Sequence, residues 1–76
     1  MSIFKHSRSE FATALINARN NAKFTCKEVA EKLGKSSHSS IVMWENDKGF
    51  PQLDDFVELC KLYDVTPNDI LGFAAT

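Results

Sequence analysis

Apolar residues return at intervals of three and four along most of the chain, the period of helices rather than strands. Phe11, Ala14, Leu15 and Ala18 make the first stripe. Ser7 and Glu10 stand where each side chain can satisfy the other residue's free backbone N–H, a capping box. The spacing predicts a helix over 8–21, with Asn20 and Asn21 turning the chain. Thr25 and Glu28 repeat the capping box. Val29, Ala30 and Leu33 carry the stripe behind it, and Gly34 supplies a stop by taking positive φ without a Cβ clash. Helix two is thus 26–33. Ser37 is placed to cap a third helix over 38–46, with Ile41 and Trp44 as its apolar positions and Met43 as a further candidate. Asn46 to Gly49 read as a turn. Pro51 then opens a fourth helix over 52–63, carrying Leu53, Phe56, Val57, Leu59, Cys60 and Tyr63 and ending at Asp64. Thr66 before Pro67 starts a fifth over 67–72, with Ile70 and Leu71. Neither alternation of period two nor a hairpin dipeptide marks a strand. The expected fold is all-α: five short helices around a core containing Phe11, Leu15, Trp44, Phe56 and Leu59.

Size and charge narrow this picture. Seventy-six residues are expected to make one domain over 1–76, with its core in 8–72. A chain of this size buries only about 60% of its unfolded surface. No apolar run approaches the roughly 20 residues that cross a bilayer. The first ten residues lack the apolar stretch of a secretory signal, so a cytoplasmic protein is expected. Cys26 and Cys60 make no disulfide framework, and neither they nor His6 and His38 have zinc-ligand spacing. No metal or cofactor is expected. The net charge of −1 does not by itself suggest a polyanion as partner. Its distribution changes that: residues 1–38 hold seven Lys/Arg and three acids, residues 39–76 two Lys/Arg and seven acids. A chain polarised in this way can turn a positive side to phosphate.

The candidate function lies in helices two and three. Each is too short to be stable alone. Helix two makes sense as a brace: Ala30 is small where two helices must cross, Gly34 turns the chain, and Ile41 and Trp44 pin helix three from one face. His38, Ser39, Val42, Met43 and Asn46 then form the opposite face. A helix presented like this fits a DNA major groove about 12 Å wide.

At these residues the chain resembles the phage repressor/Cro-type helix-turn-helix family of bacterial regulators. The resemblance is carried by Arg19, Phe24-Thr25, Glu28 through Gly34, Ile41, Trp44-Glu45-Asn46, Lys48, Pro51, Leu53, Phe56, Leu59, Val65 and Ile70-Leu71. It covers about residues 11–71. It implies a lambda-repressor-like five-helix domain acting as a homodimer, with helix three reading bases. Base-facing positions fall on His38, Ser39, Val42 and Met43. Phosphate-facing positions fall on Thr25, Cys26 and the loop near Asn46 and Lys48. Arg19 and Glu45 fall where the family has a structural ion pair. Four departures stand out. Gly34 to Ile41 is one residue longer than the family's spacing, with an insertion near Lys35 or Ser36 and no apolar residue after the glycine. Cys26 replaces a glutamine. Asp47 replaces a glycine. Val42 and Met43 replace polar or basic residues, and helix three holds no arginine, the residue that most often contacts guanine.

Several residues admit two readings from sequence. Val42 and Met43 either touch thymine methyl groups or turn into the core. Ser36, Ser37 and their neighbours offer hydroxyls to phosphate or simply build the turn. Lys35 and Lys48 either meet phosphate or are solvated. Cys26, at a helix start, is a positional residue or a thiol with a depressed pKa. Cys60 belongs to the core. Phe50 and Phe73 pack under a loop or at a dimer interface. The leading function is sequence-specific binding of double-stranded DNA by a homodimeric repressor on a palindromic operator. The alternative is a protein-interaction module on the same scaffold, antitoxin-like or bound by an antirepressor, with a regulatory protein as its partner. An enzyme is not expected: there is no nucleophile–base set and no phosphate-cradling glycine loop, and Asp54 and Asp55 suit a helix start.

Overall fold

The computed structural model describes residues 8–71, which fold into α1 (Arg8–Asn21), α2 (Cys26–Lys32), α3 (Ser39–Glu45), α4 (Leu53–Tyr63) and α5 (Pro67–Leu71), with no strand among them. The cap proposed at Ser7, residue 72 of the fifth helix as expected from sequence, and Phe73 lie outside the described residues.

The long first helix is the hub. It packs against α3, α4 and α5, while α2 packs against α3. Leu15, Val29, Ile41, Leu59 and Ile70 are fully buried at its centre, and Phe11, Ala30, Trp44, Phe56, Cys60 and Tyr63 close around them. All five expected core residues are in this cluster. Leu53 and Val57 are not: they stand 79% and 39% exposed. The buried face of α4 is Phe56, Leu59, Cys60 and Tyr63. Val57 sits about a quarter turn away from it, and Leu53 opens the helix at its border.

Four helices end alike. Lys23, Gly34, Asp47 and Asp64 adopt left-handed φ values of 64°, 74°, 61° and 57°. The next residue in each case donates to a carbonyl five back: Phe24 to Arg19, Lys35 to Ala30, Lys48 to Met43 and Val65 to Cys60, at 2.9–3.2 Å. This is the Schellman closure, which satisfies carbonyls that a helix end leaves open. Only Gly34 adopts it without a Cβ penalty, and no heavy atom lies within 4 Å of a Cβ added there, so φ alone favours the glycine.

The starts are equally specific. Thr25 Oγ1 accepts from the Glu28 N–H at 3.1 Å while Glu28 Oε1 accepts from the Thr25 N–H at 2.8 Å, the expected capping box. At α5, Thr66 caps as expected, and Asp69 closes a second box: Thr66 Oγ1 accepts from the Asp69 N–H at 3.2 Å and Asp69 Oδ2 from the Thr66 N–H at 2.8 Å. Two expected starts are displaced by one residue. Pro51 precedes the cap of α4, which is Gln52. The cap of α3 is His38, not Ser37. The longer connection after Gly34 moves the serine outward, and its Oγ accepts from the Ser39 N–H at 3.3 Å from there.

Candidate nucleic-acid interface

The α2–turn–α3 unit is held from behind by burial and by one ion pair. Val29 and Ala30 on α2 and Ile41 and Trp44 on α3 face the core. Arg19 then reaches across from α1. Its Nε donates to Glu45 Oε2 at 2.8 Å, its Nη2 to Glu45 Oε1 at 3.0 Å, and its Nη1 to the Phe24 carbonyl at 2.9 Å. One guanidinium therefore ties α1, the α1–α2 turn and the last turn of α3. The Glu45 carboxylate raises the Arg19 pKa further, chiefly through these hydrogen bonds. The pair is recessed, with side-chain exposures of 16% and 8%. The ion pair expected from the resemblance is thus present, and it fixes the pitch of α3.

Cys26 sits against this lock. Its Sγ lies 3.8 Å from Glu45 Oε1, half-buried. Burial pushes the thiol pKa up, and the neighbouring carboxylate adds to the effect. The depressed pKa entertained for a thiol at a helix start is therefore not found: desolvation outweighs the end of a seven-residue helix. The thiol also points to the lock, so Cys26 offers the outside mainly its backbone. Cys60 is buried as expected, and burial raises its thiol pKa as well. Tyr63 is buried beside the same cluster, and its hydroxyl pKa is pushed well up.

Lys35 is drawn inward. Its Nζ pairs with Asp55 Oδ2 at 3.0 Å, joining the turn to the first turn of α4. Nothing in the sequence pattern linked these two; the lengthened turn places the lysine against α4. Thr25, Ser36, Ser37, His38, Ser39, Asn46 and Lys48 are all exposed. Thr25 Oγ1 accepts within the capping box and keeps its own proton for an outside acceptor. Ser37 Oγ donates to Ser39 Oγ at 3.1 Å, a local chain along the rim of the turn. Asn46 Nδ2 donates to the Val42 carbonyl at 2.8 Å, folding the amide back over α3.

Val42 and Met43 are 37% and 49% exposed. The tertiary structure overturns the core reading of this pair: both side chains lie outside the core. Lys27, one residue after Cys26 in α2, is exposed as well, a cation that spacing alone did not single out. Phe50 is 54% exposed, with one edge against Phe11 at a ring separation of 5.0 Å.

A sequence model of the family described as a helix-turn-helix domain matches residues 13–72, from the second turn of α1 past the end of α5. No curated protein matches the chain.

Proposed function

The chain belongs to the helix-turn-helix domain family, and on that premise we propose that it is a cytoplasmic transcriptional repressor of the phage repressor/Cro kind, binding palindromic double-stranded operators as a homodimer. In a helix-turn-helix the second helix lies in the major groove while the first crosses the backbone. Here those helices are α3 and α2.

The observation that carries the proposal is the mounting of α3. Its inner face is buried at Ile41 and Trp44, its end is locked by Arg19 and Glu45, and its outer face is open. Such a helix can enter a groove without first being ordered, which lowers the entropic cost of binding. His38, Ser39, Val42 and Met43 would meet base edges. Thr25, Ser36, Ser37, Asn46 and Lys48 would meet the backbone, with Cys26 contributing its N–H. Lys35 would have to exchange Asp55 for phosphate.

Selection from a pool of random duplexes at low salt tests this reading. The expected winner is a palindrome with half-sites about one helical turn apart, as a twofold dimer requires. A pool that shows no enrichment overturns the reading. The exposed Leu53, Phe50 and Met43 favour a second one, a module that captures a regulatory protein. Affinity for such a partner would be nearly independent of salt, whereas each phosphate contact adds about −0.9 to the slope of log K against log salt concentration.

A further inference from the structure

We propose that the chain reads its operator chiefly through thymine methyl groups, contacted by Val42 and Met43, and not through hydrogen-bonded guanine. This inference rests on the DNA-binding reading above and names the class of site within it.

Along α3 the groups that read bases by hydrogen bonds are missing or already engaged. The helix, Ser39–Glu45, contains no arginine or lysine, so the two-pronged contact to guanine O6 and N7 has no donor there. Glu45, the one carboxylate, is held by Arg19 on the protected side and is not offered to a cytosine amino group. Asparagine can read adenine with both ends of its amide. The Asn46 amide is instead turned onto its own helix, with Nδ2 on the Val42 carbonyl at 2.8 Å. Ser39 is engaged by Ser37 and keeps a single hydroxyl proton, which does not tell one base from another by itself.

His38, the exposed cap before α3, brings one imidazole, which like a single hydroxyl cannot make the paired contacts that single out guanine or adenine. What remains open within Ser39–Glu45 is apolar. Val42 and Met43 are adjacent, and their exposure contrasts with the burial of Ile41 and Trp44 on either side. In the major groove only thymine presents a methyl group, at C5. Covering that methyl with a valine or methionine side chain removes apolar surface from water and gives sequence preference without a hydrogen bond. Lys27 in α2 and Lys48 after α3 are both exposed and available to the phosphates that a duplex would bring with its bases.

The test uses the full chain and the duplex that selection returns. Each thymine is replaced singly by deoxyuridine, which deletes the methyl and leaves base pairing intact. At one or two positions per half-site the replacement should weaken binding about fourfold, the value of one buried methyl. Val42→Ala or Met43→Ala should then bind the thymine and uracil duplexes equally at that position, while His38→Ala should still distinguish them. Thermal melting should show both variants folded, since neither side chain is in the core. If Val42→Ala melts early, Val42→Thr keeps the shape and replaces one methyl with a hydroxyl, giving the same comparison. Uracil tolerated everywhere in a duplex that still binds tightly overturns methyl readout and leaves DNA binding standing. Failure to enrich any duplex overturns both.

Discussion

Arg19 shows how much of the interface hangs on one side chain. Its fork spans both oxygens of Glu45 and still reaches the Phe24 carbonyl. Removing it leaves a carboxylate only 8% exposed with its main partner gone. Truncating one partner of such a recessed pair is expensive. Arg19→Ala is expected to lower stability by about 3 kcal/mol in urea unfolding. Arg19→Lys should recover only part of this, because an ammonium cannot bridge both oxygens in one plane. The Lys35–Asp55 pair is a contrast. Its lysine is a third exposed, and such pairs contribute about 0.5 kcal/mol. Lys35 can therefore exchange partners at little cost, which Arg19 cannot do.

At the scale of the helix, stability is governed by ends. These helices have five to fourteen residues, and the three shortest, α2, α3 and α5, have fewer internal bonds than open backbone groups. Closure by left-handed residues is therefore used four times. Three of those residues carry a Cβ, which costs roughly 1–2 kcal/mol in this conformation. Lys23→Gly removes the clash at an exposed site where φ is 64°. Part of the gain is offset by the freer unfolded chain. A net stabilisation of about 0.5–1 kcal/mol is expected, seen as a melting temperature higher by a few degrees. An unchanged or lower melting temperature would show that the Lys23 conformation is not strained.

At the scale of the molecule, the unequal charge distribution sets how binding should respond to salt. Each phosphate neutralised by a cation contributes about −0.9 to the slope of log K against log salt concentration. The candidate cations here are few, Lys27 and Lys48 first among them, so the slope should be shallow for a DNA-binding protein. Lys48→Ala is expected to reduce it by about one while leaving the preferred sequence unchanged. A lost sequence preference with the slope intact would move Lys48 from the backbone to a base edge. Affinity not drawn from phosphate has to come from the groove or from dimerisation, and the exposed Val42, Met43, Phe50, Leu53 and Val57 offer apolar surface for it.

The five helices, the caps at Thr25 and Thr66, the stop at Gly34 and nearly the whole core were legible in the order of residues. These follow from local rules: side-chain period, backbone N–H groups that need an acceptor, and a φ that glycine tolerates. The Arg19–Glu45 pair was implied only by the family resemblance, not by spacing. Tertiary structure decided what depends on a second element. Periodicity put Leu53 and Val57 in the stripe of α4, and only the packing of α1 shows that the buried face excludes them. It left Val42 and Met43 between core and surface until the Ile41–Trp44 face settled the rotation of α3. It let Lys35 reach for phosphate and Cys26 carry a reactive thiol, where the folded chain supplies Asp55 to one and a desolvating carboxylate to the other. The reason is physical. Local sequence governs which backbone groups are satisfied, while side-chain exposure and charge pairing depend on residues distant in the chain.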